Sequence, residues 1–330
     1  MQTEDRRRID AGEDPLLCKL DLPIRSTLYP LGFPVLAETN SVEVMDALQE
    51  NWGRFEKAFD TSPLHLNVFV SRDEADEELP PPVFRCRRHI LSVTGNRANH
   101  ATCDMAAGFA CAWITESTAR DRLYLRDAFT DALVYTMLHA LHLSAVHAAC
   151  VSWKGCGLLL CGASGAGKTS LAVACALRGW TFTCDDASYL VRGFGAVTVI
   201  GNPYELRFKR DAANLFPLLS RHEWVQRMNG KPTVFARPGD FPGIRTEVRA
   251  DVRYLIFLQR RDGAEARLTP VLDDVQERLK LPRYGDEWMI AEQEECLGSL
   301  STLKAFDLTY SGFDSAIECL KRLAEQGGVS

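Results

Sequence analysis

The spacing of apolar and polar positions changes repeatedly along this chain, and each change predicts an element. Ser41 precedes Val44, Leu48, Trp52 and Phe55, and this helical spacing behind a capping residue predicts a helix from about Val42 to Phe59. Leu64–Val70 alternates and predicts a strand, with Val35–Ala37, Val83–Arg87, His89–Thr94 and Gly108–Ile114 as further strand candidates. Together these predict a small antiparallel sheet. Ala128–Leu143 has the apolar spacing of a long, mostly buried helix. Ala145–Val151 then reads as a strand, folded back at Lys154-Gly155 into the apolar run Leu158–Cys161. Ser170–Arg178 reads as a helix closed by Gly179. Thr181–Cys184, Ser188–Val191, Val197–Ile200, Val252–Leu258 and Phe306–Thr309 are strand candidates, and Ser315–Glu325 is a C-terminal helix with Ile317, Leu320 and Leu323 on one face.

This order predicts an α/β domain over residues 128–330 behind an N-terminal α+β region over residues 1–127. Residues 1–20 are charged and expected to be loosely held, Asp73–Glu78 and the prolines after it form a solvated loop, and the charged 204–245 segment is expected to loop over the site. Composition adds exclusions. The 330 residues are 46% hydrophobic and 25% charged, which suits a globular chain with a sizeable core. A formal net charge of −6 argues against a general affinity for nucleic acid or anionic membrane, and no apolar run is long enough for a span. Cysteine numbers 11, an odd count without C-x-x-C, and several lie in apolar stretches, so reduced thiols in a cytoplasmic protein are expected.

One stretch carries specific chemistry. Gly162, Ala163, Ser164, Gly165, Ala166, Gly167, Lys168 and Thr169 fit G-x-x-x-x-G-K-[ST], between a predicted strand and a predicted helix that continues through Ser170. Glycines let the main chain wrap a polyphosphate, and loop N–H groups point at the anion. Lys168 is expected on the β- and γ-phosphates, and the Thr169 hydroxyl on Mg²⁺. Asp185 and Asp186 follow at the end of the next predicted strand, where one carboxylate can hold the metal and the other accept a proton.

His147, this loop and Arg178-Gly179 through Asp185-Asp186 together resemble the kinase domain of the HPr kinase/phosphorylase family, a fold similar to phosphoenolpyruvate carboxykinase. The resemblance implies a P-loop kinase core, ATP and Mg²⁺ as cofactors, Asp185 as general base and Asp186 as its companion near the metal. It implies His147 beside the site and Glu205 as a metal-associated glutamate. Arg207 and Arg237 are candidates for contacting phosphate or substrate. The family's E-x-R-G-x-G segment stands here as Glu205-Leu-Arg-Phe-Lys209, without glycines, which leaves HPr itself and the reverse phosphorolysis open. The chain is more similar to divergent members, some of which phosphorylate the terminal serine of lasso-peptide precursors. The expected activity is transfer of the γ-phosphoryl group to a serine hydroxyl of a protein or peptide, with a homo-oligomer expected by resemblance. A non-catalytic ATP-binding regulator and a small-molecule hydroxyl kinase stay open.

Overall fold

The computed structural model describes residues 20–72, 79–193, 197–227, 230, 232–272, 275–279 and 285–327. The expectations for residues 1–20 and Asp73–Glu78 fall almost wholly outside them. The fold is mixed α/β and divides into two compact units, one holding the chain up to Arg85 with Leu91–Val134, the other Cys86–Ile90 with Tyr135 onward.

The first sheet has seven strands in the order Ile24–Leu28, Val35–Thr39, Leu64–Ser71, Phe109–Thr115, His100–Asp104, Ile90–Thr94 and Val83–Arg87. The expectation of a small antiparallel sheet is therefore corrected. Val35–Thr39 pairs parallel with Leu64–Ser71, which pairs parallel with Phe109–Thr115. A parallel pair needs a crossover, and the helix Val42–Trp52 lies in the first one. The Ser41 hydroxyl caps that helix by accepting from the Val44 N–H at 3.4 Å. It stops at Trp52 rather than Phe59. Asn51 and the Trp52 indole donate to one Asp131 oxygen at 2.7 and 3.2 Å. Beyond Gly53, Phe55 and Phe59 are still buried, with Phe59 stacked on Phe33 at 4.2 Å. Their spacing reported burial, which an irregular segment also achieves. The helix expected over Ala128–Leu143 begins earlier, with a π-helical turn at Leu125–Thr130 followed by α-helix over Asp131–Leu141.

In the second unit the phosphate-motif strand, Cys156–Cys161, pairs antiparallel with Ala148–Trp153 and parallel with Arg249–Arg260. The latter pairs parallel with Lys304–Tyr310. On the other side Thr181–Cys184 pairs antiparallel with Ala148–Trp153, so it runs in the same direction as Cys156–Cys161. The helix Lys168–Ala176 crosses between these two, and its apolar residues pack with those of the sheet into one core. Thus the carboxyl ends of Cys156–Cys161 and Thr181–Cys184, and the amino end of Ala148–Trp153, meet at one edge. His147 sits at that edge too. The strand expected over Ala145–Val151 is broken there into Leu143–Val146, paired with Ser188–Val191, and Ala148–Trp153. A residue between two strands with different partners escapes both ladders, and its side chain becomes available.

The 204–245 segment is more than a covering loop. Leu206–Phe208, Pro232–Ala236 and Trp224–Gln226 form a three-stranded antiparallel sheet, anchored by Phe208, Phe216 and Phe241 with ring centroids 5.6 to 6.0 Å apart. Strands at Ile24–Leu28, His100–Asp104 and Arg267–Pro270, and the helix Glu287–Gly298, are additional to the sequence expectation. Among the described residues no helix is long and apolar enough to cross a membrane.

Arg192 closes the helix Asp131–Leu141. Its guanidinium donates to the carbonyls of His139, Ala140 and Leu143 at 2.6 to 2.9 Å and pairs with Glu292 at 2.8 Å. The carbonyls of His139 and Ala140 belong to the last turn of the helix, where acceptors have no partner within the helix. Arg192→Ala is expected to destabilise the second unit by about 2–4 kcal/mol, read from its transition in urea.

Candidate functional site

The 162–169 loop takes backbone that side chains resist. Gly165 and Gly167 have φ of 93° and 92°. A Cβ at Gly167 would also stand 2.9 Å from the Tyr310 hydroxyl, which itself donates to the Ala166 carbonyl at 3.3 Å. Tyr310, on the strand Lys304–Tyr310, thereby buttresses the loop from below. Burial holds its hydroxyl protonated, with the pKa pushed up to about 12. Nothing local in the sequence marked Tyr310, because the strand that brings it is more than a hundred residues downstream.

A cleft of about 690 Å³ opens beside the loop. Ser164, Gly165, Gly167, Lys168, Thr169 and Ser170 line it from the loop and helix start, with His147 and Asp186 at the sheet edge. Arg207, Lys209 and Arg227 line it from the small sheet. Lys168 Nζ lies 2.9 Å from the Gly162 carbonyl, 3.3 Å from that of Ala163 and 3.0 Å from His147 Nε2. An ammonium only donates, so His147 Nε2 accepts, its proton sits on Nδ1, and Nδ1 faces Asp186 Oδ1 at 3.2 Å. The result is a continuous polar chain from Lys168 through His147 to Asp186. Burial lowers the Lys168 pKa against the pull of Asp186, and the neighbouring Lys209 charge lowers it further.

The two aspartates are placed differently. Asp186 is half-exposed on the cleft wall. Asp185 is buried, and its Oδ2 accepts the Arg207 backbone N–H at 2.7 Å. Burial pushes the Asp185 carboxyl up to about 7, with Asp186 and Glu205 adding to the rise, while the Arg207 charge and its N–H oppose it. Glu205 is turned onto Arg207 at 2.7 Å and is not part of the cleft wall. Arg237 stands exposed after the strand Pro232–Ala236 and does not line the cleft either.

Lys209 and Arg227 were missed. A signal for Lys209 existed, since Leu206 and Phe208 are buried, which leaves Arg207 and Lys209 together on the opposite face of a strand. Cys161 and Cys184 beside the site are free thiols that burial pushes up to about 12, so they serve as small core side chains. Chemically, the loop N–H groups and the lysines suit a multiply charged anion, and the paired aspartates suit a cation or a proton beside it.

No family model matches this sequence, and no curated protein matches it. Among solved structures the chain is similar to the Hpr(Ser) kinase/phosphatase from Coxiella burnetii, with 12% identity over 56% of this chain and 97% of that one, and a TM-score of 0.29. The functional reading therefore stands on the cleft's own residues.

Between about pH 4 and 7 the folded chain holds an Asp185 proton that the unfolded chain releases, so this group's contribution to stability falls as pH rises. Asp185→Asn keeps an acceptor for the Arg207 N–H. It is expected to stabilise the second unit at pH 8, by up to about 4 kcal/mol, with the gain shrinking towards pH 4 in urea unfolding at both values.

Proposed function

We propose that the second unit is an ATP-dependent phosphotransferase that moves the γ-phosphoryl group to a serine hydroxyl of a protein or peptide. One observation carries this reading. The glycine loop, the Lys168–His147–Asp186 chain and a carboxylate poised near neutrality converge at one edge of the sheet. The loop wraps the phosphates, with Lys168 on the β- and γ-groups. Thr169 and Asp186, both on the cleft wall, would hold Mg²⁺. Among the described residues no three His, Cys, Asp or Glu groups form a ready metal cage, which suits an ion that keeps one or two protein ligands and completes its shell with phosphate oxygens and water. When bound, Mg²⁺ supplies charge neutralisation across the transferring phosphates.

In the transfer, the serine oxygen forms its bond to the γ-phosphorus as the bond to the β,γ-bridging oxygen breaks. That oxygen leaves with ADP, and the serine proton passes to Asp185, whose Oδ2 stays on the Arg207 N–H. A desolvated carboxylate with a pKa near 7 is a stronger base than an exposed one and is about half ionised at neutral pH. The choice of serine on a polypeptide rests on the resemblance of the motif set to the HPr kinase family. A second reading gives the proton to Asp186, favoured by its place on the cleft wall.

The test is transfer of label from γ-labelled ATP with Mg²⁺ to HPr, serine-ended peptides or free serine. Wild type is expected to label a polypeptide, with a rate that rises as pH passes through about 7. Asp185→Asn should lose about a hundredfold or more in rate while holding ATP within about threefold. Loss of that pH limb in Asp186→Asn alone would move the base to Asp186. Label on free serine alone would make the acceptor a small molecule, and ATP binding without any transfer would make the chain a regulator.

A further inference from the structure

The cleft holds a cation whose position that reading leaves unused. Lys209 follows the strand Leu206–Phe208 and reaches across to the loop, its Nζ donating to Ser164 Oγ at 2.8 Å. Phe208 beside it is locked into the aromatic cluster with Phe216 and Phe241. The lysine therefore projects from a fixed base, with only its own side chain to order.

Two features say what it faces. The first is like charge. Lys168 and Lys209 line the same cleft, close enough for the Lys209 charge to weigh against the Lys168 ammonium, and Lys209 donates to a neutral hydroxyl. Such an arrangement costs free energy until an anion lies between the two cations. The second is the arm of the loop. Lys168 Nζ lies over the Gly162 and Ala163 carbonyls, next to Ser164, on the arm away from the start of the helix. His147 and Asp186 stand on that side as well. In a loop of this type the helix start holds the inner phosphates, and the lysine reaches outward to the β- and γ-groups. The outer phosphoryl group thus falls where both lysines can touch it.

We propose that Lys209 is a cationic finger on the terminal phosphoryl group of the bound triphosphate, supplied from within the chain by the small three-stranded sheet. It rests on the phosphotransferase reading and adds a residue that reads the number of phosphates. During transfer the charge spread over the γ-oxygens lies between Lys168 and Lys209, and Lys209 gives up a neutral hydroxyl for a charged oxygen. A triphosphate gains this contact and a diphosphate does not, so Lys209 favours the loaded substrate over the product.

Calorimetric titration of the full chain with Mg·ATPγS and with Mg·ADP tests this. Lys209→Ala is expected to weaken Mg·ATPγS by about tenfold, leave Mg·ADP within about twofold, and regain most of the difference as Lys209→Arg. The unchanged ADP affinity doubles as evidence that the variant folds. An equal loss for both nucleotides, or no loss for either, would overturn the finger while leaving the phosphotransferase reading intact. Wild-type protein that binds neither nucleotide would overturn both.

Discussion

Positive charge gathered around a backbone loop is the constraint on which this site depends. Lys168 and Lys209 line one cleft with Arg207 and Arg227. Of these, Lys168 is buried enough to lose proton affinity. The nearby acids also have partners of their own: Glu205 pairs with Arg207, Asp186 with His147, and Asp185 accepts the Arg207 N–H. A site left with surplus cations and loop N–H donors is built for a ligand that brings its own negative charge. This local surplus exists within a chain of net charge −6, which is why whole-chain charge says little about the cleft.

Topology turns that constraint into a site. Lys168 follows the strand Cys156–Cys161, Asp185 and Asp186 follow Thr181–Cys184, and His147 precedes Ala148–Trp153. Because the first two strands run together and the third runs against them, all these residues emerge at one edge. Reversing any one of the strands would put its residue at the far end of the sheet. The break at His147 adds the last requirement, since a side chain held inside either ladder could not bridge Lys168 and Asp186. Tyr310, from the strand two places away from Cys156–Cys161, closes the loop from beneath.

The differences between expectation and structure share one cause. Periodicity reports which side chains are buried and says little about the backbone that carries them. Phe55 and Phe59 are buried as expected, yet in irregular chain. Leu64–Ser71 alternates as expected, yet both of its pairings are parallel, a property of connections and not of the strand's own residues. Arg237 and Lys209 show the same limit at the site. Both are basic residues beside a strand of the small sheet, but only what the fold brings alongside decides that Lys209 meets Ser164 and Arg237 faces solvent.

The loop, the helix behind it and the strand before it were legible from local residues, because glycine backbone, capping and apolar runs act over a few residues. The sequence also placed His147, Lys168, Asp185 and Asp186 in the right order to meet. Tertiary structure alone decided that Asp185 is buried and Asp186 open, that Glu205 belongs to Arg207, and that Lys209 and Tyr310 serve the loop from distant segments. Burial and pairing depend on what the rest of the chain brings alongside, and that energy is set by distance in space, not along the sequence.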